Sequence, residues 1–484
     1  MKLLRPQFNR LVTGLILFAV FCTVLYKAIQ IPITHDEVAT LYRARDSSFS
    51  DLLFYTNHDQ NNHILNSILT KVSINIFDIH LWSIRLPNIL FFLIFAVGVW
   101  RIVKLIFGFS SFFIIPATAI FIANPYILDF FSLCRGYGMS LALSTLSISF
   151  LLAFFERKNL NFAHLALIFA CLASYANFTL VYFLFSVLSI IPLGFIIYRR
   201  QFGSRLIKFL IIQSIIIIGY GALVFIPLNI ILSTNQMIYW ESDGFIENTL
   251  LPLLSNSLSG SKTLFLQSSI AVAVGVIAII TFSITYILIK ISKSSNHEAL
   301  FQNPIFASTI LLISTILINL FHCYVLDAPF LNGRLAIFYH PLFIVVFLST
   351  IRLISLKEYY SLKTFSSGII LVLTIMHFTQ VWRKDIFREW YYDATTYKVL
   401  NHLNSIRNNE HITIDSHWLF NPALRFHIEF DPIDWLTLKP YNKEILPNTD
   451  SKFYYIMWDE KHKIEQNFRT EVDYQTGGCL MIKR

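Results

Sequence analysis

The sequence is short of charged residues and of cysteines. Only 14% of its 484 residues are Asp, Glu, Lys or Arg, whereas soluble domains usually carry roughly 25%. An ordinary water-soluble fold is therefore excluded, because too little charge is present to cover its surface. The five cysteines form no CxxC pair, which argues against a disulfide framework. No internal repeat or low-complexity segment interrupts the chain.

Long apolar runs take the place of the missing charge. Hydrophobic residues make up 55% of the chain, and the mean hydropathy is +0.59. A helix needs about 20 apolar residues to cross the hydrocarbon core, so the sequence predicts an α-helical polytopic membrane protein with about eleven spans. The predicted spans lie near residues 11–30, 86–107, 110–130, 138–155, 162–176, 178–198, 206–232, 264–290, 305–326, 335–351 and 365–382.

Lys and Arg are unevenly distributed between the two sets of loops. Loops on the side of the N-terminus carry more than twice as many as the longer loops on the other side. This asymmetry predicts a multi-pass protein of the cell inner membrane with a cytoplasmic N-terminus. It also accounts for the net charge of +9 without a nucleic-acid partner. An odd number of spans then places residues 31–85 and the tail outside the cytoplasm.

The chain is predicted to form two domains, a membrane domain at residues 1–382 and an extracytoplasmic α/β domain at residues 383–484. The tail contains a helical pattern, "ATTYKVLNHLNSI", and strand-like runs, "HITID", "LRFHIEF", "FYYIMW" and "CLMIK". In the first outer loop, apolar residues at helical spacing between Leu65 and Phe77 predict an amphipathic helix that lies along the membrane surface.

Polar residues that can do chemistry collect on the predicted outer face. Asp36 and Glu37 follow the first span, and Arg135 and Arg334 lie at the outer ends of spans far apart in sequence. The two acids alone also fit a polar exit from the membrane, and each Arg alone fits a snorkelling side chain. Together, carboxylates and two guanidinium groups beside lipid suit a phosphate-bearing substrate.

The histidines are less informative. His58 and His63, with Asn62, precede the surface helix and are candidate substrate contacts, although loop histidines are often only polar surface groups. Histidines in or near spans, such as His322 and His377, are expected to bond to neighbouring helices.

Several segments carry a family resemblance. They are "HDE" after the first span, "NNHILNSIL", "RLPN", "NPYILDFFSLCRGYGMSLAL" and "GRLAIFYHPLF". The chain resembles the GT-C glycosyltransferases, and more closely the bacterial relatives of the protein O-mannosyltransferases and the lipid-A aminoarabinose transferase, which are glycosyltransferase family 39-like. The strongest shared motif is the acidic pair together with the Arg-x-Tyr at residues 135–137.

The resemblance implies a transferase that takes a sugar from a polyprenyl-phosphate donor and passes it to a hydroxyl of a glycan, lipid or protein. Asp36 is then the candidate general base, and Glu37 a support or a metal ligand. Arg135 and Arg334 would pair with the departing phosphate, beside Tyr137. The motifs establish no cofactor and leave a divalent metal open, for which the candidate ligands are Asp36, Glu37 and His63.

Two other classes remain open at this point. A secondary transporter or flippase of a lipid-linked or anionic substrate also has many spans and a basic inner face. Transporters usually place ionisable groups near the bilayer midplane, and no matched pair of broken helices is evident here. A scaffolding membrane protein is the third alternative.

Overall fold

The computed structural model of the protein describes residues 5–56, 62–233, 244–258, 265–293, 297–354, 360–474 and 477–484. The chain is mostly helical and ends in a small sheet. The α-helices, in chain order, are α1 Arg5–Gln30, α2 His35–Asp46, α3 Phe49–Phe54, α4 Ile64–Phe77, α5 Leu81–Phe107, α6 Ile114–Ile122, α7 Pro125–Asp129, α8 Gly136–Arg157, α9 Leu160–Ala176, α10 Val181–Ile197, α11 Arg199–Phe202, α12 Leu206–Ser233, α13 Leu251–Leu258, α14 Phe265–Lys293, α15 His297–Phe301, α16 Pro304–Val325, α17 Tyr339–Ile354, α18 Tyr360–Val381, α19 Thr396–Ile406 and α20 Asn421–Phe430.

Among the described residues, 8 helical segments are long and apolar enough to cross a membrane. The protein is therefore a multi-pass membrane protein. Helices α9 and α17, which match two more predicted spans, are shorter, with 17 and 16 residues. The number of spans and the orientation of the termini stay predictions.

The third predicted span, residues 110–130, is broken into α6 and α7. The break falls at Asn124 and Pro125. The Asn124 side chain accepts hydrogen bonds from the backbone N–H groups of Tyr126 and Ile127 and caps α7, and Pro125 has no N–H to continue the helix. A continuous helix was the wrong expectation here, because the apolar count does not register this cap.

Helix α8 lies at the centre of the membrane core, where it packs between α5 and α9. Nearly all of its side chains are buried. Its sequence is rich in Gly, Ala and Ser, small residues that allow neighbouring helices in a membrane to approach closely. Gly98 of α5 is one such position, since a Cβ there would lie 3.0 Å from Thr145 of α8.

The first outer loop contains α2, α3 and α4. Helix α4 is amphipathic, as predicted, and its polar side faces inward: Asn66, Ser67 and Thr70 are fully buried, whereas Ile76 is 65% exposed. An apolar outer side and a buried polar side suit a helix whose outer side faces lipid.

The tail folds into a five-stranded sheet. Its strands are β1 Ile412–Ser416, β2 Leu436–Leu438, β3 Phe453–Met457, β4 Phe468–Tyr474 and β5 Gly478–Lys483. The strand order is β2-β1-β3-β5-β4, in which β1 pairs in parallel with β2 and β3, and β5 pairs antiparallel with β3 and β4. The predicted helix and three of the predicted strands are confirmed, and the small α/β unit with them.

The strand prediction for "LRFHIEF" is wrong, because these residues belong to α20. Apolar residues alternate in this segment, as they would in a strand, because α20 packs against the sheet on one side and against α2 on the other. Leu424 packs in the core of the sheet, whereas Phe426 and Phe430 pack with residues of α2. Pro422 begins the helix at its first turn.

Through α20, the sheet lies directly on α2. The Tyr42 hydroxyl donates to Glu429 Oε2 at 2.8 Å, and Arg45 Nη1 donates to Glu429 Oε1 at 2.5 Å. The first loop and the tail therefore share one face of the membrane domain. The domain boundary between residues 382 and 383 stays a prediction.

Candidate functional site

Asp36 lies in the first turn of α2, directly after the short non-helical segment at residues 31–34 that follows α1. Thr34 precedes the helix in an extended conformation and ends the run that leaves α1. The N-terminus of a helix favours negative charge, which explains why two acids can stand at this point. Asp36 is 8% exposed and Glu37 is fully buried. Neither carboxylate is therefore a simple solvated exit from the membrane.

Three donors converge on one oxygen of Asp36. Arg334 Nη2 lies 3.4 Å from Asp36 Oδ2, and Arg135 Nη2 lies 3.8 Å from it. The Trp390 indole N–H donates to the same oxygen at 3.1 Å. The structure thus brings together Asp36, Arg135 and Arg334, which the sequence separates by about 100 and 200 residues.

These charges decide the protonation state of Asp36. Burial acts to raise the pKa of Asp36, but the positive charges of Arg135 and Arg334 outweigh it, with smaller contributions from His35 and the Trp390 N–H. The pKa consequently lies below its ordinary value of 3.8. At neutral pH, Asp36 is an ionised carboxylate between two guanidinium groups.

Glu37 is bound to Arg85 at the start of α5. Arg85 Nε donates to Glu37 Oε1 at 2.8 Å and Nη2 donates to Oε2 at 2.7 Å. The backbone N–H of Cys134 donates to Oε1 at 2.7 Å, and that of Thr34 donates to Oε2 at 3.0 Å. Four donors therefore occupy the Glu37 carboxylate.

Arg85 has no spare donor either. Its remaining N–H groups bond to backbone carbonyls at the end of α1, those of Ala28, Ile31 and Pro32, at 2.8 to 3.0 Å. All five guanidinium donors are thus used. The Glu37–Arg85 pair joins α1, α2 and α5 to the loop that ends at Arg135, and it fixes the backbone on both sides of the site.

The Arg-x-Tyr motif is positioned by two glycines. A Cβ on Gly136 would collide with the carbonyl oxygen of Ala176 and with His63, and a Cβ on Gly138 would collide with the carbonyl oxygen of Phe130. Only glycine fits these close approaches. They place Arg135, whose side chain is fully buried, where its Nη1 donates to Thr40 of α2 at 3.3 Å.

Tyr137 and His63 lie beside the two arginines. Their rings meet edge to face with centroids 4.6 Å apart, and His63 Nδ1 lies 3.2 Å from the carbonyl oxygen of Ala176. Burial and the neighbouring charge of Arg135 lower the pKa of His63 well below 6.5, so the ring is neutral at pH 7. A neutral ring can accept or donate a hydrogen bond to a ligand.

Asn62 and His58 are less closely tied to Asp36. Asn62 accepts a hydrogen bond from Ser67 at 2.8 Å and lies 3.5 Å from Arg43 Nη1, so it joins α4 to α2. His58 lies outside the described residues. The substrate contacts expected of both residues stay predictions.

The segment from Phe387 to Asp393 completes the site, and sequence reasoning missed it. Trp390 is 1% exposed and carries Arg334 over its ring, with the guanidinium carbon 4.8 Å from the ring centroid. Asp393 Oδ2 accepts from the backbone N–H of His35 at 2.8 Å. A cluster of aromatic residues after a last span usually indicates only the membrane interface, so the pattern gave no signal of a buried role.

The same segment is attached to the membrane core. The Arg388 backbone N–H donates to Asp129 Oδ2 at 3.0 Å, and Asp129 also forms a buried ion pair with Lys27 of α1. Glu389 Oε1 accepts from the Tyr126 hydroxyl at 2.6 Å. Trp390 therefore stands on a segment that is bound directly to α7 and, through Asp129, to α1.

Asp393 is a second buried acid beside Asp36. Burial raises the pKa of Asp393 well above 3.8, and the charges of Asp36 and Glu37 act in the same direction, against the hydrogen bond from His35. Its other oxygen, Oδ1, has no hydrogen-bond partner among the described residues. Asp393 therefore favours its neutral form.

The residues that could hold a divalent metal do not fit one. Two arginines surround Asp36, four donors occupy Glu37, and the neutral His63 faces a carbonyl oxygen. In the part of the chain that the structure describes, no group of three or more His, Cys, Asp or Glu could hold a metal ion. The arrangement suits an anion that would share the two arginines.

A cavity of about 620 Å³ lies within the apolar helices near the site. Its walls come from α6, α13, α14, α16, α17 and α18, and most of the side chains that line it are aliphatic or aromatic, with His340 and His377 among the polar exceptions. Helix α13 carries Leu253 and Leu254 on the cavity side. Its Asn256 side chain donates to Glu389 Oε1 at 3.2 Å, next to Gly333 and Arg334.

The fold and site thus define a multi-pass helical membrane protein with an acidic and basic site on the face that carries a small α/β unit. Searches of protein-family models and of curated proteins find no match. Among solved structures, the chain is similar to ArnT from Cupriavidus metallidurans, both in the apo state and bound to undecaprenyl phosphate. Each ArnT match has 10% identity and a TM-score of 0.39, covering 97% or 98% of this chain and 97% of that one.

The archaeal oligosaccharyltransferase AglB from Archaeoglobus fulgidus, solved in complex with an inhibitory peptide and a dolichol-phosphate, also matches. It has 10% identity and a TM-score of 0.44, with coverage of 94% of this chain and 70% of AglB. Both neighbours are GT-C glycosyltransferases, the superfamily that the sequence motifs resemble. At this level of similarity, the roles of the site residues rest on the contacts within this chain.

Proposed function

We propose that the protein is a membrane glycosyltransferase that moves a sugar from a polyprenyl-phosphate donor to an acceptor hydroxyl on the outer face of the cytoplasmic membrane. The observation that carries this proposal is the position of Asp36 Oδ2 between two guanidinium groups and an indole N–H. A carboxylate that occupies a pair of arginines marks a place where an anionic group of the substrate can bind.

In the proposed complex, the donor phosphate binds to Arg135 and Arg334. Arg334 is partly exposed, with 29% of its side chain accessible, so it can be reached by a ligand, whereas Arg135 is fully buried. Negative charge on the phosphate grows as the bond to the sugar breaks. The two arginines therefore stabilise the transition state more than the bound donor, which is the condition for catalysis.

Asp36 is the proposed general base. It takes the proton of the acceptor hydroxyl, the acceptor oxygen forms a bond to the anomeric carbon, and the bond from that carbon to the phosphate oxygen breaks, with its electron pair leaving on the phosphate. Phosphate at the arginines competes for the charges that lower the pKa of Asp36. Donor binding is thus expected to raise the pKa of Asp36 and make it a stronger base.

The neighbouring residues have supporting roles in this mechanism. We assign Glu37 to the support of the site, since its carboxylate is fully occupied by Arg85 and two backbone N–H groups. Trp390 positions Asp36 and Arg334 together. Tyr137 and His63 form one wall, within reach of a sugar or phosphate oxygen.

A lipid-linked donor is supported by the apolar cavity on the other side of α13. A polyprenyl chain is apolar and needs a path into the membrane domain, and the cavity of about 620 Å³ offers aliphatic and aromatic walls at the depth of the spans. We further propose that the site faces away from the cytoplasm, consistent with the Lys and Arg distribution.

A transfer assay tests the proposal. Purified protein is incubated with a panel of polyprenyl-phosphate sugars and candidate glycan, lipid and peptide acceptors, and the products are identified by mass spectrometry. Arg334→Gln serves as the site variant and Arg383→Gln as a matched control, since Arg383 is an exposed arginine just after α18. Transfer that survives Arg334→Gln unchanged would remove the phosphate role, and no transfer with any lipid-linked sugar would contradict the proposed function.

A further inference from the structure

A second cavity, which is polar, lies at the opposite end of the helices from Asp36. Its volume is about 850 Å³, within the roughly 300–1,000 Å³ that small-molecule sites occupy. It lies near Arg5, at the first turn of α1, so the 26 residues of that helix separate it from the Asp36 end by about 39 Å. The proposed transferase mechanism uses none of its residues.

The cavity is strongly basic. Four basic residues line it, with a single carboxylate; they are Arg5, Lys104, Arg352, Lys363 and the acid Glu156. Glu156 already pairs with Arg157 at 3.5 Å. Within the described residues, neither Lys104 nor Lys363 forms an ion pair with an acidic side chain. The charge balance therefore favours an anion.

The walls are built by specific contacts between four helices. The Asn9 side chain of α1 is 4% exposed and donates to the carbonyl oxygens of Phe109 and Ser111 at 2.7 and 3.0 Å. Ser367 of α18 donates to the carbonyl oxygen of Phe112 at 2.8 Å. Arg352 of α17 donates to the carbonyl oxygen of Leu105, in α5, at 3.0 Å. The loop after α5 is thus held between α1 and α18.

The cavity also has an apolar side and access to lipid. Phe107, Phe112 and Phe113 line it together with the basic groups. Helices α1 and α18, which flank it, leave most of their side chains at least partly exposed, as expected for helices that face the bilayer. A ligand with a phosphate head and an apolar tail matches this combination better than a free anion does.

We propose that this cavity binds the phosphodiester head group of an anionic phospholipid. Basic pockets between transmembrane helices are suited to such head groups, because each nearby Lys or Arg attracts the anionic lipid. Other basic residues at this end of the helices lie outside the cavity and serve as a comparison. Arg199 and Arg200 are exposed and directly follow α10. The hydrogen bond from the Tyr198 hydroxyl to the carbonyl oxygen of Phe155, in α8, places them at the same end as the cavity.

The test is a lipid titration followed by native mass spectrometry of the full chain in detergent. Phosphatidylglycerol and phosphatidylcholine are added to wild type, to Lys104→Gln/Lys363→Gln, and to the matched control Arg199→Gln/Arg200→Gln, which removes the same charge. Inorganic phosphate is titrated into the same three proteins in a separate series. In Lys104→Gln/Lys363→Gln we expect the preference for phosphatidylglycerol over phosphatidylcholine to fall by about 30-fold, because each of the two lost cations contributes about 1 kcal/mol to binding of an anionic lipid. The control should keep the wild-type preference. Equal thermal unfolding midpoints will show that both variants are folded.

Two results would overturn the proposal. They are an unchanged lipid preference in Lys104→Gln/Lys363→Gln and an equal loss of preference in the control. If an unchanged lipid preference is accompanied by a loss of inorganic phosphate binding, the cavity belongs to a soluble anion. None of these results bears on the Asp36 site, because both variants lie at the other end of the helices.

Discussion

The Glu37–Arg85 pair leads to a prediction about stability. Glu37→Gln keeps the volume of the side chain but replaces one acceptor oxygen by an NH2 group. Two of the four hydrogen bonds that the carboxylate accepts can be kept, those from Arg85 Nε and the Cys134 N–H. The other two, from Arg85 Nη2 and the Thr34 N–H, then face a donor.

The size of the loss follows from these contacts. Hydrogen bonds to charged groups are worth about 1.5–3 kcal/mol each, so two of them amount to about 3–6 kcal/mol. Removal of one partner from a buried ion pair costs about 3–5 kcal/mol, since the other charge stays buried. Both side chains are 0% exposed. We therefore expect Glu37→Gln to lower the free energy of unfolding by about 3 kcal/mol or more.

The assay is thermal unfolding of purified protein in detergent, together with the amount of protein found in the membrane. Asp393→Asn is the matched control, a buried acid-to-amide change in which the amide oxygen can still accept from His35. The double variant Glu37→Gln/Arg85→Met should lose less than the sum of its single variants, because no charge is then left unpaired. If Glu37→Gln unfolds at the same temperature as wild type and Asp393→Asn, the assigned role of the pair is wrong.

Four further predictions concern the proposed site and the topology. Because the pKa of Asp36 is low in the empty site and should rise with phosphate bound, the acid limb of kcat should lie at higher pH than that of kcat/KM. Trp390→Phe keeps the ring over the arginine but removes a hydrogen bond to Asp36; turnover should fall about tenfold or more, and the acid limb of kcat/KM should move to higher pH. Arg135→Lys should keep part of the activity and Arg135→Ala almost none, as measured by kcat/KM, because Lys retains the positive charge but cannot form two parallel hydrogen bonds to a phosphate. Single cysteines at the exposed Ser50 and Lys443, in a Cys-free background, should be labelled by an impermeant reagent from the same side, and labelling from opposite sides would contradict the shared face.

The sequence was sufficient for the membrane class and for much of the tail. A long apolar run predicts a membrane-spanning helix directly, and most predicted spans have a matching helix. The length of an apolar run does not reveal side-chain caps within it, which is why the break at Asn124 was missed. The segment at residues 424–430 was assigned to a strand because the alternation shows burial on two sides but not which element provides it.

The candidate site was only partly predictable for a similar reason. Asp36, Arg135 and Arg334 could be grouped because the span pattern puts them on one face of the membrane. Arg85 and Trp390 could not, since their roles depend on contacts with residues 48 and 354 positions away. A charge near the end of a span looks the same in the sequence whether it is solvated or bound to a buried partner.

The most direct test of the proposed transferase is a comparison of donor binding and turnover in one preparation of Asp36→Asn. The contacts of Asp36 with Arg135 and Arg334, at 3.8 and 3.4 Å, are longer than those of Glu37 with Arg85, at 2.8 and 2.7 Å, and Arg334 is partly exposed. Asp36→Asn should therefore lose less stability than Glu37→Gln and still fold in the membrane. It should bind the lipid-linked donor at least as tightly as wild type, because the competing carboxylate at Arg135 and Arg334 has lost its charge. Turnover should fall by about 10² or more, the usual scale for a lost general base, whereas Asp393→Asn should stay close to wild type. Transfer by Asp36→Asn within a few-fold of wild type would contradict the proposed role of Asp36 and the mechanism built on it.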